Sequence, residues 1–364
     1  MSGKETNKEK QTKETQKKAG VLLVIGLFII VGTFYSYQIM FTDNVLVDKN
    51  EKPLYIPTGS KFQQVADSLE SGKFLHDRLS FMFLSKLLGY RDNIKPGRYL
   101  LKPNMNNFQL IRKLKNGIQD PLKVTIINIK TKSALARRLS LKLEIDSAEV
   151  YNDLNNLELL SKYNVNDTTV MAMILPNTYE VYWTWKTPQL LDMFKKEYDR
   201  FWDTHRIAKA QEIGLTPNQV IVMASIVEAE THKVDEKARI AGVYMNRLKA
   251  DQRLQADPTL IFATQDWNAR RINEYHRYFK SPYNTYRRKG LPPGPINIPS
   301  LSSIDAVLDY EKHDYLFFCA EPNLSGYHLF SKNFDEHLNV ARDYWKTLDD
   351  SQIHQDKRWK PQPK

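Results

Sequence analysis

Hydrophobic and polar positions first separate a long apolar block from everything around it. Positions 1–18 are polar. Positions 19–42 carry no charge, and their centre reads Val21-Leu22-Leu23-Val24-Ile25-Gly26-Leu27-Phe28-Ile29-Ile30-Val31. At about 1.5 Å per residue, a helix of this length exceeds a hydrocarbon layer of about 30 Å. A single transmembrane helix over 19–42 is predicted, with Tyr35 and Tyr37 near its far end, where aromatic rings favour the interface. A cleaved signal peptide would have a shorter apolar run and a small-x-small site after it. Here Gly32-Thr33-Phe34-Tyr35-Ser36-Tyr37 follows, which favours an uncleaved anchor.

Between residues 43 and 122 strand-like and helix-like spacing alternate. Tyr55-Ile56-Pro57-Thr58-Gly59-Ser60 reads as a strand and turn. Ser60 can cap a helix whose apolar positions Phe62, Val65, Ala66 and Leu69 follow a 3.6-residue period. Helices are expected over 77–88 and 107–115, with a turn into a strand at Lys95-Pro96-Gly97-Arg98-Tyr99-Leu100-Leu101. This small α+β module resembles LysM-like glycan-binding modules. Residues 123–349 form a larger α+β unit. A strand is predicted at Val124-Thr125-Ile126-Ile127-Asn128-Ile129, then mostly helix to about 163 and a turn at Ile174-Leu175-Pro176-Asn177-Thr178-Tyr179. Helices should run over 188–212 and 217–249. The tail 350–364, ending Lys360-Pro361-Gln362-Pro363-Lys364, is expected to be disordered.

Length and composition fit this division. The 364 residues, 41% of them hydrophobic, suffice for two domains with a core. Cys319 is the only cysteine, so an intrachain disulfide and a cysteine-based zinc site are excluded. It lies in the apolar run Tyr315-Leu316-Phe317-Phe318-Cys319-Ala320 and reads as a buried strand thiol.

The net charge of +11 suggests an anionic partner. Outside the N-terminal tail, however, no long basic block occurs, which disfavours nucleic acid. That tail holds six lysines against three glutamates, whereas the flank at 41–52 has two lysines beside three acids. This asymmetry keeps the N-terminus in the cytoplasm and places the rest outside it.

The most informative helix begins at Thr216-Pro217, a capping hydroxyl followed by proline at the first helical position. Val220, Ala224 and Val227 form an apolar stripe with Ile221 beside it. At about 100° per residue, Glu228 continues the Ile221-Ala224-Ser225 edge of that stripe. A carboxylate on an apolar surface is desolvated, which raises its pKa as a general acid near neutral pH requires. Glu230, about 200° further round, shares no pocket with Glu228 unless the helix ends there. A plain ion pair of Glu228 with Lys233 or Lys237 stays open.

Several blocks then occur in order: Ala224-Ser225-Ile226-Val227-Glu228-Ala229-Glu230-Thr231; Ile240-Ala241-Gly242-Val243-Tyr244-Met245-Asn246-Arg247-Leu248; and Leu254-Gln255-Ala256-Asp257-Pro258-Thr259. Tyr283-Asn284-Thr285-Tyr286, Gly290-Leu291-Pro292-Pro293-Gly294-Pro295-Ile296 and Gly326-Tyr327-His328-Leu329-Phe330 follow, the last ahead of Glu336-His337. Together they resemble the endolytic murein transglycosylase (YceG-like) family. Two departures are visible: Pro176-Asn177-Thr178-Tyr179 stands where the family shows Pro-Asp-Thr-Tyr, and Asn297-Ile298-Pro299-Ser300 where it tends to show Asn-Pro-Gly.

The resemblance implies a lytic transglycosylase that cuts the MurNAc-GlcNAc β-1,4 bond of glycan strands, leaves 1,6-anhydro ends and uses Glu228 as the single acid/base. Ordinary glycosidases use two carboxylates; here the sugar's own C6 hydroxyl would replace the second. Gln255, Asp257, Thr259, Asn284, Thr285 and Tyr286 are candidate substrate contacts. Turn formation is the competing role for Asp257, before Pro258, and for the residues ahead of the Gly-Leu-Pro-Pro-Gly turn. His328 and His337 lack a supporting ligand motif and read as structural or cleft-lining rather than metal-binding. The aromatic residues from Tyr179 to Trp185 are candidates for sugar stacking or for the core.

No cofactor is implied. The expected partners are peptidoglycan strands, cytoplasmic membrane lipid and peptidoglycan synthases, not nucleic acid. A non-catalytic, membrane-anchored glycan-binding scaffold is the competing reading.

Overall fold

The structure, a computed structural model, describes residues 2–47, 50–269, 271–323 and 325–350. Expectations for residues 351–364 fall outside them. The fold is mixed helix and sheet, and the chain divides into two units, one of residues 1–122 with 182–184, the other of residues 123–181 and 185–364.

The first unit opens with α1 (Ser2–Phe41). Its part Gln16–Phe41 is the one helix among the described residues long and apolar enough to cross a membrane. The helix does not begin at the apolar block but continues back through the polar tail. Lysine, glutamate and glutamine are good helix formers, and Glu14 and Lys18 pair one turn apart at 3.4 Å.

Beyond it, β1 (Lys52–Ile56) pairs antiparallel with β2 (Gly97–Leu101), from Lys52↔Leu101 to Ile56↔Gly97. Between them run α2 (Phe62–Ser71) and α3 (Arg78–Leu87), and α4 (Asn107–Lys115) follows. Leu54, Ile56, Val65, Leu69, Phe81, Tyr99, Leu110 and Leu114 form the core. Capping follows the sequence: Asp77 accepts from Leu79 and Ser80 at the start of α3, and Asn106 forms a capping box with Gln109 at α4. The end of α1 is tied to this unit through Asn107, whose amide donates to the Ile39 carbonyl at 3.0 Å. Trp183 also belongs here, edge-on to Tyr55 at 5.0 Å.

The second unit begins with β3 (Leu122–Ile126), α5 (Lys132–Ser140), α6 (Ser147–Asp153) and α7 (Leu157–Ser161). β4 (Asn177–Val181) pairs with β3. The segment expected as a turn around 174–179 thus continues into a strand, in which Tyr179 and Val181 point inward. Tyr179 packs against Phe194 and donates to the Leu175 carbonyl at 2.7 Å, which is a core role.

Two long helices expected from sequence are each divided. α8 (Thr187–Phe201) stops before Asp203, which caps α9 (Thr204–Glu212). α10 (Pro217–Glu230) ends at Thr231, whose extended backbone precedes a 3-10 turn and α11 (Lys237–Lys249). α12 (Asp257–Thr264), α13 (Glu274–Tyr278) and α14 (Leu301–Leu308) follow. β5 (Phe317–Ala320) and β6 (His328–Ser331) form an antiparallel pair, and α15 (Phe334–Asp350) is the last described helix. Cys319 lies in β5 as expected but is only partly buried.

α10 is the axis of this unit. All eight residues from Val220 to Val227 are buried, so it is a core helix covered on every side rather than one with a single apolar stripe. Ser225 inside it serves the proline-rich loop: its hydroxyl accepts from Ile296 N at 3.0 Å and its carbonyl from the Asn297 amide at 2.8 Å. Gly294 allows that loop to pass close, since a Cβ there would stand 2.0 Å from the Thr168 carbonyl oxygen.

Candidate active site

α10 buries every residue from Val220 to Val227, Ser225 included, and its two carboxylates stand in the last turn. Glu228 and Glu230 both emerge there, at the helix end where the two can leave in different directions.

Glu228 turns toward α11 and α14. Its Oε2 accepts from Lys237 Nζ at 2.9 Å, Ser303 Oγ at 2.6 Å, Ser300 N at 3.2 Å and the Ser300 hydroxyl. Lys237 is buried and also donates to Ser300 and Ser302, each at 3.0 Å. The backbone donor lies at the start of α14, where the helix dipole favours an anion. Burial alone would raise the Glu228 pKa, but the hydrogen bonds from Ser300, Ser303 and Lys237 outweigh it and hold the carboxyl below its ordinary value. The expected upward shift is therefore reversed, and the Lys237 pairing left open above is the one found.

Glu230 faces a different environment. It lines a cavity of about 330 Å³ together with Asp257, Phe262, Trp267, Lys130 and Arg271. Its Oε1 accepts from the hydroxyl of the buried Tyr244 at 2.5 Å. Burial pushes its pKa from 4.5 up to about 7; the charge of Asp257 adds to the rise, and the Tyr244 bond and Arg247 oppose it. Lys130 sits over the Trp267 ring at 4.9 Å, and Phe262 meets that ring edge-on. The cavity joins a carboxyl that titrates near neutrality to an aromatic and cationic rim.

The predicted contact residues separate into two groups. Asp257 lines the cavity and accepts from the Tyr286 hydroxyl. Loss of water raises its pKa, against that bond and the charges of Arg277 and His276. Tyr286 is part of the same cluster, with Arg277 over its ring at 5.8 Å. Gln255, exposed in a left-handed turn with φ 50°, donates its backbone N–H to Thr285 O at 3.2 Å.

Thr259, Asn284 and Thr285 are buried. Thr259 and Thr285 bond to each other at 2.8 Å, and Thr285 accepts from Ala256 N at 3.0 Å. Asn284 donates to the Arg277 and Phe279 carbonyls and accepts from Tyr286 N at 3.0 Å. His328 pairs with Glu236 at 3.0 Å, and His337 stacks on Phe317.

Comparison with known proteins decides the family. The YceG-like family matches residues 54–343. The chain belongs to the YceG-like family. It is 27% identical over 352 residues to an endolytic murein transglycosylase of Streptococcus pneumoniae strain D39, covering 88% of this chain and 64% of that protein. A Bacillus subtilis endolytic murein transglycosylase is 26% identical, with 87% of this chain and 91% of that protein covered. The chain thus spans less than two thirds of the pneumococcal relative. A crystal structure of a YceG-like protein from Listeria monocytogenes superposes with a TM-score of 0.54 at 29% identity, covering 80% of this chain and 99% of that one.

Within this YceG-like chain, Lys130, Trp267 and Arg271 line the cavity from segments without regular spacing, so no periodic signal marks them. Tyr244 sits inside the 240–248 block, and its partner Glu230 lies at the end of α10, where helical periodicity stops.

Proposed function

We propose that the chain is a membrane-anchored lytic transglycosylase of peptidoglycan, with Glu230 rather than Glu228 as its acid/base. The observation that carries this reading is a carboxyl that lines a cavity beside Asp257, Trp267, Lys130 and Arg271; burial there pushes its pKa up to about 7, which suits giving and taking a proton near neutral pH. The names of the relatives support the substrate class.

In the first step Glu230, protonated, gives its proton to the bridging oxygen of the MurNAc-GlcNAc β-1,4 bond as that oxygen leaves C1 of the N-acetylmuramyl ring. The Glu230 carboxylate then takes the proton of the same sugar's C6 hydroxyl, whose oxygen closes on C1. The products are a 1,6-anhydro-N-acetylmuramyl end and a free 4-hydroxyl, with no water consumed. Trp267 offers a face for a sugar ring, and Asp257 and Tyr286 offer polar contacts. Glu228 with Lys237 locks the end of α10 to α11 and α14.

The apolar helix serves as a single-pass anchor in the cytoplasmic (inner) membrane. The lysine-rich tail lies inside and both folded units outside, where nascent strands and their synthases are found. A second cavity of about 290 Å³, lined by Tyr55, Pro57, Ser60 and Gln64 in the LysM-like module, fits glycan binding by that module.

A second reading is favoured by Asp257, which shares the cavity with Glu230: two carboxylates can run a hydrolysis. Digestion of un-crosslinked peptidoglycan strands by the full chain in detergent, with mass spectrometry of the products, tests both. Anhydro-muramyl ends support the transglycosylase, reducing ends the hydrolase, and no cleavage the scaffold.

A further inference from the structure

Glu230 makes one hydrogen bond that the reaction above does not explain. Tyr244 lies on α11 at the same level as the end of α10, and its hydroxyl donates to Oε1. The phenol is held firmly. Its ring is buried and stands edge-on to Phe318 at 5.9 Å. The next turn of α11 is clamped to the segment before β5: the Asn246 amide donates to the His313 and Tyr315 carbonyls, and Arg247 Nε to Leu316 O at 2.6 Å. Gly242 allows that approach, since a Cβ there would stand 2.4 Å from Glu311 O.

Resting on the assignment of Glu230, we infer that Tyr244 is a positioning residue: its hydroxyl fixes Oε1 and leaves Oε2 as the oxygen that carries the proton toward the substrate. A carboxyl free to rotate would present either oxygen and divide its time between productive and unproductive directions. The contact also sets which protonation state is populated, because a donor to a carboxylate favours the charged form.

The charged and titratable groups around Glu230 are Tyr244 and Arg247 from α11, Asp257 from α12 and Tyr286 from the loop after α13, with Lys130 and Arg271 on the cavity wall. Tyr244 hydrogen-bonds Glu230 directly. Its own pKa is raised well above the ordinary value, first by burial and then by the Glu230 charge, so it remains a donor throughout the working range.

The test is the pH profile of cleavage by the whole chain with Tyr244→Phe, beside carbon-13 titration of the Glu230 carboxyl in the substrate-free protein. Loss of the donor should raise the upper limb of the profile and the carboxyl titration together, by about one pH unit. It should also lower kcat about tenfold, with KM within about twofold. A fall in kcat with neither limb nor titration moved would reduce Tyr244 to a packing role and overturn the inference. If Tyr244→Phe does not fold, 3-fluorotyrosine at position 244 keeps the shape with a more acidic hydroxyl, and both readouts should move down instead. Glu230→Gln run in parallel separates the two claims. Retained cleavage there overturns the assignment of Glu230, whereas lost cleavage there with an unmoved Tyr244→Phe titration overturns the role of Tyr244 alone.

Discussion

Glu228 and Glu230 leave the same helix turn, yet one meets a lysine, two serine hydroxyls and a backbone N–H, and the other a cavity and the Tyr244 phenol. The first environment supplies enough donors to overcome desolvation and keeps its carboxyl charged. The second withdraws water and supplies too few donors to compensate, so its carboxyl holds a proton near neutrality. Desolvation acts on both, and the number of donors decides the sign. A carboxylate fixed in charge and geometry suits joining elements; one that changes state near neutral pH suits proton transfer.

The largest effect that can break this comparison is on turnover. Glu230→Gln should lower the rate of strand cleavage by about 10²- to 10⁴-fold, the range for loss of a general acid/base. Its melting temperature at neutral pH should not fall, because Gln removes a carboxyl that is costly to ionise in the cavity.

Stability should respond in the opposite order. Glu228→Gln leaves Lys237, with its side chain 5% exposed, without its anionic partner. Breaking such a pair should cost about 3 kcal/mol, read as a lower denaturant midpoint, while turnover per folded molecule stays near that of the parent.

The pH dependence of stability sharpens the contrast further. The Glu228 carboxyl is held below its ordinary value of 4.5, so its contribution is present above about that pH and is lost as the pH falls through the lower folded value. The Glu230 pKa is raised from 4.5 to about 7, so its contribution is present below about 4.5 and is lost as the pH rises through about 7. Melting curves from pH 3 to 9 should lose the acid-side slope in Glu228→Gln and the slope between about 4.5 and 7 in Glu230→Gln.

The smallest effect concerns Asp257, whose charge helps to raise the Glu230 pKa. Asp257→Asn should shift the alkaline limb of the activity profile toward lower pH by a fraction of a unit.

Much of this was readable before the structure. The apolar block, the β1–α2–α3–β2–α4 order and the start of α10 follow from hydropathy, period and caps, which are local signals. The family was legible because its blocks keep their order along the chain. The site was only half legible. Periodicity placed Glu228 on an apolar edge, but it could not show that Ser300 and Ser303, more than 70 residues on, would surround it with donors. It also treated Glu230 as part of a helix that ends at that residue. Asn284, Thr285 and Thr259 looked like contact residues because polar side chains near a rigid turn serve a turn and a ligand equally well. No local pattern reports their burial.

The central claim is tested most directly by digesting un-crosslinked peptidoglycan strands with the parent, Glu228→Gln and Glu230→Gln proteins side by side, each first shown to be folded, and counting anhydro-muramyl ends by mass spectrometry. Such ends are expected from the parent and from Glu228→Gln, and none above background from Glu230→Gln. Cleavage retained by Glu230→Gln and lost by a folded Glu228→Gln would contradict it and return the proton transfer to Glu228.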